Sequence, residues 1–406
     1  MLEGVNVALG VTGSIAAVKT VELAHELRRQ GAEVRGVMTD SARGIIHPWA
    51  VEFATDNEVV TEITGSVEHV DLCGNDGWAD VFLIAPATAN TVGKIAGAVD
   101  DTPVTTCATT ALGADTPVVV APAMHEPMYD HPGVLEAIDT VAEWGVDFVD
   151  PRIEEGKAKI ASEEAIVCDV ARAAGERSLE GEHVVVTSGA TAESIDPVRV
   201  ITNRSSGKMG RAVARACYAR GAEVTLVHGV VGPRPIGNGD GPPETDGDGN
   251  LPYATVRHVE SASEMLAATR DACADADALV SAAAIGDYTV EESDEKIRSG
   301  RQLSLDLEPT PKLIDEVREA RPDLPIVGFK TETSGDEAAM IEKARETLDR
   351  VGLAFVVAND ASVMGSDRTA ALLVHDADAA RYEGTKAGLG GEIADSIAAV
   401  VGNNSL

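Results

Sequence analysis

Short apolar runs recur along this chain, and turns or segments with helical periodicity follow them. Runs of this kind, rich in Val, Ile, Leu and Ala, are typical of parallel strands that are covered on both faces. The segment 211–220 is amphipathic, which predicts a helix. The pattern therefore predicts an α/β protein with parallel sheets. The predicted strands are residues 5–10, 34–38, 81–85, 117–121, 184–187, 225–228, 277–281, 325–328 and 355–358.

The two halves of the chain nearly repeat one pattern. In each half a strand leads through a glycine-containing turn to a helix, and a second strand follows at once. The two helices end at Gly31 and Gly221, and glycine commonly terminates a helix. We therefore expect two doubly wound, Rossmann-like domains of the nucleotide-binding type, residues 1–177 and 182–406.

Two connecting segments complete this organisation. We predict a linker helix over residues 171–182, between the two domains. Residues 229–253 are rich in Gly, Pro and Asp, which predicts a loop without secondary structure of its own. The loop either overhangs a ligand site of the second domain or is a tolerated insertion.

The charge of the chain is extreme. Its 67 Asp and Glu residues outnumber 33 Lys and Arg residues, which gives a formal net charge of −34. Such a surface repels nucleic acid and anionic membranes, so we expect neither as a partner. Its self-repulsion is best screened in molar salt, where screening acts within about 3 Å. We therefore predict a halophilic protein from a haloarchaeal type of cytoplasm.

The cysteines and the hydropathy also indicate the cytoplasm. The five cysteines are scattered without a C-x-x-C pair, which argues against a disulfide scaffold and against a zinc site. We find no signal peptide and no apolar run long enough to span a bilayer. We expect a cytoplasmic protein.

The segment 196–210, DPVRVITNRSSGKMG, concentrates polar chemistry directly before the predicted helix 211–220. It places an amide, hydroxyls, glycines and cations where backbone N–H groups and the positive end of a helix dipole favour an anionic ligand. By spacing alone, an ordinary glycine-rich helix cap is equally compatible. The segment is not a Walker A motif, and the chain has no G-x-G-x-x-G fingerprint.

Three strand ends in the first half carry small or polar residues. Gly13 and Ser14 follow the first strand, Thr88 and Asn90 follow the strand 81–85, and the turn 121–125 follows the next. Open α/β sheets bind ligands beyond the carboxyl ends of their strands, and such turns suit a phosphate. Three common strand-to-helix turns remain the alternative.

Residues 196–210 resemble the signature of phosphopantothenate–cysteine ligase. GVTGSIAA, APATANT and PAMHEPMY in the first half resemble the motifs of its usual fusion partner, the flavin-dependent phosphopantothenoylcysteine decarboxylase. That enzyme is one of the homo-oligomeric flavin-containing cysteine decarboxylases, whose domain is flavodoxin-like. Together the halves resemble, nearly end to end, the bifunctional family of coenzyme A biosynthesis. The resemblance implies ligation of 4'-phosphopantothenate to cysteine, followed by decarboxylation to 4'-phosphopantetheine.

For the first half, the resemblance implies a bound FMN and an oxidation of the cysteine moiety to a thioaldehyde before carbon dioxide leaves. His69, in a match to the family's short histidine motif, would handle a proton in that step. Met128 would contact the substrate, and Lys94 would reach its phosphate. The residues that the resemblance assigns to FMN are Gly13, Ser14, Thr39, Thr88, Asn90, Ala123 and Met124.

The first half departs from the bacterial family pattern at two positions. His125 stands where the family has an asparagine that holds the substrate carboxylate. An imidazole can donate a similar hydrogen bond, although its charge depends on pH. Lys159 stands near the place of the cysteine that acts as acid in the final reduction, and Cys168 is too far along the chain to replace it. Either another donor completes the reduction or this half is impaired.

For the second half, the resemblance implies an acyl-nucleotide intermediate made from CTP, or from ATP, with release of pyrophosphate. Asn203 would handle this intermediate. Lys296 would bind the triphosphate, with Arg298 in place of the family's second lysine, a mild change because arginine suits phosphate. Magnesium is implied by triphosphate chemistry, with Asp287 as a candidate ligand. The other residues assigned to substrate or nucleotide are Ser205, Ser206, Gly207, Lys208, Phe329, Lys330, Asn359 and Asp360.

Two other functions compete with this interpretation. One is a ligase whose first domain binds flavin in a regulatory role without catalysis, and His125 and the missing cysteine favour it. The other is a pyridine-nucleotide dehydrogenase, which the missing G-x-G-x-x-G fingerprint disfavours. The resemblance further implies a homo-oligomer, with decarboxylase trimers and ligase dimers that together can close into a dodecamer.

Overall fold

A computed structural model of the chain describes residues 1–230, 251–298, 300, 302–332, 337–360 and 368–404. The chain divides into two units, Met1–Glu176 and Arg177–Leu406, and each has its own main sheet. Residues 231–250, most of the predicted loop, lie outside the described residues.

The first unit is built on a five-stranded parallel sheet with the strand order β2-β1-β3-β4-β6. Its strands are β1 (Asn6–Val11), β2 (Glu33–Met38), β3 (Val81–Ala87), β4 (Val118–Pro122), β5 (Met124–His125), β6 (Asp147–Phe148), β7 (Arg152–Glu154) and β8 (Lys157–Lys159). A 3-10 helix spans Ile15–Lys19. The α-helices are α1 (Thr20–Arg29), α2 (Asp40–Arg43), α3 (Pro48–Thr55), α4 (Glu68–Cys73), α5 (Ala89–Ala96), α6 (Pro103–Gly113), α7 (Glu126–Tyr129), α8 (Pro132–Glu143) and α9 (Glu163–Ala174).

This strand order is the flavodoxin-like order of doubly wound folds, which confirms the fold predicted for the first half. The central strands β1 and β3 are buried along almost their whole length, as their uniformly apolar sequences predict. The order reverses between β1 and β3, because the chain continues from β1 to β2 on one side and returns to β3 on the other. A crevice therefore opens beyond the carboxyl ends of these two strands.

The second unit is built on an eight-stranded sheet with the order β13-β12-β9-β14-β17-β18-β19-β20. Its strands are β9 (His183–Gly189), β10 (Ala192–Asp196), β11 (Arg199–Thr202), β12 (Glu223–Gly229), β13 (Thr255–Val259), β14 (Ala278–Ser281), β15 (Tyr288–Val290), β16 (Leu307–Pro309), β17 (Ile326–Glu332), β18 (Phe355–Asp360), β19 (Arg368–Val374) and β20 (Ala379–Thr385). Its helices are α10 (Lys208–Ala219), α11 (Ala262–Ala272), α12 (Leu313–Ala320), α13 (Glu337–Val351) and α14 (Lys386–Asn404).

The first six strands in this order are parallel and follow the Rossmann order, so the second prediction of a doubly wound domain is also confirmed. The order reverses between β9 and β14, which places a second crevice beyond the ends of those strands. The antiparallel strands β19 and β20 at the edge were not predicted from the sequence. Helix α14 follows them and packs on α10, with Gly390 so close that an added Cβ would lie 2.7 Å from the carbonyl oxygen of Ala212.

The predicted linker helix over 171–182 has the wrong bounds. Helix α9 ends at Ala174, eight residues after Ile166, and the cap residue Gly175 adopts an extended conformation. The helix begins after Ser162, whose hydroxyl accepts a hydrogen bond from the Ala165 N–H at 3.2 Å. A serine cap followed by two acidic residues is a helix-start signal, and the prediction overlooked it.

Candidate active sites

The crevice of the first unit contains a cavity of about 560 Å³ at the ends of β1, β3 and β4. Its lining combines residues of the 3-10 helix, the three strand ends and the small sheet β5-β8-β7. The lining residues are Gly13, Ser14, Ile15, Ala16, Val18, Lys19, Thr88, Ala123, Met124, His125, Met128, Arg152, Lys157, Ala158, Lys159 and Ile160.

Local hydrogen bonds fix the strand ends around this cavity. The Ser14 hydroxyl donates to the carbonyl of Ala123 at 3.0 Å, which joins the end of β1 to the end of β4. The Thr88 hydroxyl caps α5 by accepting from the Thr91 N–H at 3.2 Å. At Gly13 an added Cβ would lie 2.5 Å from the Cβ of Ser41, so only glycine fits there without a shift. The turns are thus held close together, and their hydroxyls and backbone border the cavity.

The walls of the first cavity are largely apolar on one side and cationic on the other. Ile15 and Val18 leave 78% and 57% of their surface exposed, although both are aliphatic. On the β5-β8-β7 sheet, Lys159 donates to Glu154 at 3.0 Å and to Glu155 at 2.9 Å. These hydrogen bonds, the one to Glu155 first, raise the pKa of Lys159 above its usual value, so its ammonium group stays charged at neutral pH. A flat apolar ligand with anionic groups matches such walls.

His69 lies on α4, away from the residues that line this cavity. Its Nδ1 atom is buried and has no hydrogen-bond partner in the described part of the chain. The neighbouring Glu68 accepts from the Thr64 N–H at 2.8 Å and from the Thr64 hydroxyl. These hydrogen bonds lower the pKa of Glu68. The helix that carries the histidine is therefore anchored, while the imidazole keeps an unused polar atom.

The second unit contains a narrower cavity of about 130 Å³, bordered by the start of α10, the residues after β14, and residues of β17, β18, β19 and α14. Its lining is rich in hydroxyl, amide and cationic groups. The lining residues are Arg204, Ser205, Ser206, Gly207, Lys208, Met209, Gly210, Ala282, Ala283, Ala284, Phe329, Val357, Asn359, Thr369, Lys386 and Leu389.

Helix α10 begins at the floor of this cavity because two glycines let it approach β9. Gly207 has φ 68°, and an added Cβ would lie 2.9 Å from Ser188 Oγ and 2.8 Å from His228 Cε1. At Gly210 an added Cβ would lie 2.6 Å from the Ser188 Cβ. The Ser188 hydroxyl also donates to the carbonyl of Gly207 at 3.0 Å. The positive end of the α10 dipole therefore faces the cavity, together with the side chains of Arg204 and Lys208.

The segment before this helix forms an antiparallel hairpin, β10 and β11, which then leads to Asn203. The Asn203 side-chain amide donates to the carbonyl of Ala284 at 3.0 Å, so the loop after β11 is tied to the loop after β14. At the hairpin turn the Arg199 guanidinium and several N–H groups bind the Asp196 carboxyl. They hold the pKa of that carboxyl well below its usual range. The carboxylate is thus ionised throughout the neutral range.

Comparison with known proteins assigns both units to one family. Residues 1–175 match the family model described as Flavoprotein, and residues 179–401 match the DNA/pantothenate metabolism flavoprotein C-terminal domain. The chain is 49% identical over 377 residues to the coenzyme A biosynthesis bifunctional protein CoaBC of Thermococcus kodakarensis, which covers 92% of this chain and 89% of the relative. This chain belongs to the CoaBC family.

Other similar proteins include CoaBC of Methanocaldococcus jannaschii, which is 36% identical over 406 residues and covers 99% of this chain and 95% of the relative. The CoaBC protein of Bacillus subtilis is 34% identical over 90% of this chain and 88% of its own length. Among solved structures, the FMN-dependent cysteine decarboxylase SpaF is 32% identical over 43% of this chain and 100% of its own, with a TM-score of 0.39.

In this CoaBC-family chain the structure gathers most of the residues predicted to bind the flavin. Of these, Gly13, Ser14, Thr88, Ala123 and Met124 line the first cavity, together with His125 and Met128, which were predicted to contact the substrate. Thr39 is instead buried at the start of α2, where its hydroxyl accepts from the Ala42 N–H at 3.2 Å. Asn90 is exposed on α5 and does not line the cavity.

Lys94 is not brought to the first cavity either. Its ammonium group binds both carboxylate oxygens of Asp101, at 2.7 and 2.9 Å. In a chain with so large an excess of acidic residues, a lysine on a helix readily finds such a partner. The cavity takes its cations from Lys19, Arg152 and Lys157 instead, which sequence reasoning missed. All five cysteines are buried, and none lines this cavity.

The second cavity contains the predicted residues of the helix cap and of two strand ends. Ser205, Ser206, Gly207, Lys208, Phe329 and Asn359 all line it. Lys330 does not, because alternate residues of a strand face opposite sides. Its ammonium group donates to the carbonyl of Lys343 at 3.0 Å and to the Thr347 hydroxyl at 3.1 Å, on α13. The side chain of Asp360 lies outside the described residues.

Four further predicted residues do not line the second cavity, namely Asn203, Asp287, Lys296 and Arg298. Asp287 is bound to Lys312 at 2.5 Å. Lys296 and Arg298 are exposed on the loop between β15 and β16 and do not line the cavity. In the described part of the chain, no three His, Cys, Asp or Glu side chains cluster in a way that could hold a metal ion. None of the described helices meets the length and hydropathy needed to cross a membrane.

Three residues of the second cavity were missed from the sequence, namely Thr369, Lys386 and Leu389. Thr369 belongs to β19, and the other two belong to the first turn of α14. They reach the cavity because the antiparallel edge strands return the chain to α10. A lysine opening a long helix directly after a strand was the available signal, and Lys386 opens α14 in this way.

Proposed function

We propose that this chain catalyses two successive reactions of coenzyme A biosynthesis. The second unit ligates 4'-phosphopantothenate to cysteine, and the first unit decarboxylates the 4'-phosphopantothenoylcysteine that results. The observation that carries the proposal is the pair of switch-point cavities within a chain related to CoaBC proteins over 92% of its length. A regulatory, non-catalytic first domain is not favoured, since the relatives named above are bifunctional proteins.

FMN fits the first cavity. The cavity is large enough for a flavin ring, and the exposed Ile15 and Val18 offer an apolar wall for it. Ser14 and Thr88 would bind the phosphate together with the backbone at the start of the 3-10 helix. FMN supplies the two-electron oxidation and reduction of the substrate's cysteine carbon. Within this arrangement Met124 and Ala123 would border the flavin from the end of β4.

The substrate would lie between the flavin wall and the β5-β8-β7 sheet. His125 is exposed at the cavity and does not cap α7 with its side chain, so its imidazole is available to hydrogen-bond the substrate carboxylate. Met128 would cover the pantothenoyl chain. Lys159, which stays charged between Glu154 and Glu155, would present its ammonium group near the reacting carbon. Lys159 would there stabilise negative charge on the substrate, and its raised pKa makes it a poor donor of the proton that the family's cysteine otherwise provides.

His69 would complete this site from a second copy of the chain. It does not line the cavity of its own chain, and the residue is only half-buried, so a neighbouring copy can reach part of the imidazole. An assembly in which α4 of one copy closes the cavity of the next would bring the imidazole to the substrate thiol. His69 would there accept the thiol proton. Decarboxylase trimers would satisfy this requirement, and ligase dimers could join them into a dodecamer.

The second cavity suits activation of a carboxylate by a nucleotide. A carboxylate is a poor electrophile, so the ligase first forms an acyl-nucleotide and releases pyrophosphate. Ser205, Ser206 and the N–H groups at the start of α10 would bind the phosphates, and Lys208 and Lys386 would offset their charge. Phe329 and Asn359 would contact the base and ribose. Asn203, oriented by its bond to Ala284, would then hold the acyl-nucleotide for attack by cysteine.

The exposed cations of the β15–β16 loop would close over the triphosphate. Lys296 and Arg298 flank one anchored residue and extend into solvent, which is the arrangement expected of groups that bind only when ligand arrives. CTP is the proposed nucleotide, with ATP as the alternative. Magnesium would arrive with the triphosphate, since Mg²⁺ is commonly bound through substrate phosphates and water. Asp287 would bind the magnesium ion only after its ion pair with Lys312 has broken.

The surroundings of the protein are also part of the proposal. The net charge of −34 suits a cytoplasm of high salt concentration. Activity and refolding should therefore rise between dilute buffer and molar KCl, because screening relieves repulsion between carboxylates. Equal refolding yields at both salt concentrations would contradict this part.

The proposal is tested with purified protein in molar KCl, given 4'-phosphopantothenate, cysteine, magnesium and either CTP or ATP. Pyrophosphate, carbon dioxide and product mass are recorded. We expect 4'-phosphopantetheine, with one pyrophosphate and one carbon dioxide released per product, and a flavin spectrum from the protein. Ligation without carbon dioxide release would support the ligase activity only and would favour a regulatory role for the first unit.

A further inference from the structure

The Asp196–Arg199 ion pair binds both the backbone N–H and the backbone carbonyl of one residue of the β15–β16 loop. Asp196 Oδ2 accepts from the Ile297 N–H at 3.0 Å. Arg199 Nη2 donates to the Ile297 carbonyl at 2.7 Å, and Arg199 Nε donates to Asp196 Oδ2 at 2.9 Å. The three residues thus form a closed ring of hydrogen bonds, which we call the Ile297 clamp.

The clamp is rigid on its hairpin side. Asp196 Oδ1 accepts from the Val198 N–H at 2.9 Å and from the Arg199 N–H at 3.0 Å, which fixes the carboxylate to the turn between β10 and β11. The Asp196 side chain is fully buried, with 0% of its surface exposed. A buried carboxylate is stable only when its oxygens are satisfied by donors of this kind. A second tie, from the Ser293 N–H to the carbonyl of Ile195 at 3.0 Å, holds the start of the loop on the same hairpin.

The clamp lies between the two cations assigned to the triphosphate. Lys296 and Arg298 are the immediate neighbours of Ile297, and both are exposed while Ile297 is half-buried. In the described part of the loop neither cation pairs with Asp196, which Arg199 already binds. Fixing the peptide between them limits the directions in which both side chains can extend. Such preorganisation reduces the entropy lost when a charged ligand is bound.

The hairpin that carries the clamp also leads to the second cavity. Strand β11 runs from Arg199 to Thr202, and Asn203 and the Ser205–Lys208 turn follow directly. The Thr202 hydroxyl donates to the carbonyl of Thr191 at 2.8 Å, which fixes that end of the hairpin. One short hairpin therefore sets the position of both the helix-cap phosphate site and the cationic loop.

We propose that Asp196 is a positioning residue for the ligase reaction. With Arg199 it fixes Ile297 so that Lys296 and Arg298 present their charges together to the triphosphate. The proposal rests on the ligase function assigned above and on the role of Lys296 in it. The carboxylate itself does not contact the reacting atoms; it acts through the two neighbouring cations.

The decisive variant is Asp196→Asn, which keeps the shape of the side chain and removes its charge. We expect kcat/KM for nucleotide-dependent pyrophosphate release to fall about 10- to 100-fold, mostly through KM for the nucleotide, because the lost hydrogen bonds are charge-assisted. In the Lys296→Ala background the same substitution should cost less than about 3-fold, because residues that act through one another are not additive.

The matched control is Asp315→Asn, which also removes a carboxylate from an arginine, at 2.9 Å from Arg350, but on an exposed helix. It should leave the kinetics unchanged.

Amide hydrogen exchange at Ile297 gives a readout that does not depend on activity. Asp196→Asn should speed exchange at this amide at least about 10-fold in the absence of substrates, since its acceptor is weakened. Unchanged exchange would overturn the clamp. If Asp196→Asn fails to fold, Arg199→Lys replaces it, because lysine keeps the charge but lacks the planar guanidinium that binds Asp196 and the Ile297 carbonyl through two nitrogens.

The outcomes separate the clamp from the proposed function. Neutral kinetics for Lys296→Ala would remove the assigned role of the loop, and the positioning role would fall with it. If Lys296→Ala slows ligation and Asp196→Asn still causes its full loss in that background, the positioning role alone is overturned. A damaging Lys296→Ala, a non-additive Asp196→Asn and faster exchange at Ile297 would together establish it.

Discussion

The two units have the same kind of sheet topology and differ in the residues that line their cavities. Both have a doubly wound parallel sheet, and both open a cavity where the strand order reverses. The first cavity has about 560 Å³ and exposed aliphatic walls, whereas the second has about 130 Å³ and is bordered by hydroxyl and cationic groups. Topology thus determines where each cavity opens, and the residues of a few turns determine the chemistry of its lining.

The difference is visible in how each unit begins its first helical turn. In the first unit, Gly13 and Ser14 lead into a short 3-10 helix whose aliphatic side chains border the cavity. In the second unit, Gly207 lets the 12-residue helix α10 begin directly at the cavity, with its dipole aimed inward. A flat ring needs the first arrangement, and a chain of phosphates needs the second.

The largest effect is expected at His69, which would separate the two activities. His69→Asn should reduce decarboxylation about 100- to 10,000-fold, because a positioned acid–base group is lost. Ligation should remain at the wild-type rate. The measurement is carbon dioxide release beside pyrophosphate release. His47→Asn is the matched control, because His47 only caps α3 by accepting from the Trp49 N–H at 3.2 Å. Equal loss of both activities would contradict the division between the units.

Lys296→Ala should give the converse result. We expect ligation to fall about 100- to 1000-fold, the usual effect of removing one preorganised charge donor. Folding should be intact, because the side chain is exposed. Decarboxylation of supplied 4'-phosphopantothenoylcysteine should not change. Near-wild-type ligation would refute the assignment of Lys296.

Gly207→Ala tests whether the second cavity depends on the close approach of α10 to β9. The substitution strains a residue with φ 68° and brings a methyl group within 3.0 Å of the Gly189 N–H nitrogen. We expect ligation to fall about 10- to 100-fold, because the added methyl group would push the start of α10 away from β9 and so misplace the groups that face the cavity. Gly181→Ala is the control, because Gly181 also has a positive φ of 82° but no neighbour within 4 Å. A similar loss of ligation in both variants would attribute the effect to backbone strain alone.

The smallest effect is expected at Lys386. Lys386→Ala should raise KM for the nucleotide about 10-fold, because one of several cations at the phosphates is removed. Lys330→Ala should change it less than about 2-fold, because the Lys330 ammonium group is held on α13. Steady-state kinetics with varied CTP or ATP compares the two. The reverse order of effects would restore the sequence-based expectation for Lys330.

Much of the fold could be predicted from the sequence, because buried parallel strands are almost continuously apolar and glycines mark the helix ends. The runs at 81–85 and 184–187 are such cases, and both lie within central strands. The hairpin of β10 and β11 was not predicted, since its two short strands mix polar and apolar residues and include buried carboxylates. The edge strand β20 has mostly exposed positions and therefore no apolar pattern, whereas β19 is largely buried and apolar and was overlooked.

The site was predicted well where one turn supplies several residues and poorly where distant segments meet. Ser205 to Lys208 were found together because they are consecutive. Lys386 was missed because only the packing of α14 on α10 brings it to the cavity. Lys94 and Lys330 were predicted to bind ligands, but each has a partner that spacing alone could not reveal. A cation in so acidic a chain is more often paired than free.

The division of labour between the cavities is tested most directly by blocking the first one alone. A Gly13→Val protein should lose the flavin site, because an added Cβ would lie 2.5 Å from Ser41 and the turn that borders the cavity would have to shift. Given 4'-phosphopantothenate, cysteine, nucleotide and magnesium, its products are identified by mass. The account predicts that the reaction stops at 4'-phosphopantothenoylcysteine, which accumulates at the wild-type rate of ligation. Formation of 4'-phosphopantetheine at the wild-type rate, or loss of both products from a folded protein, would contradict it.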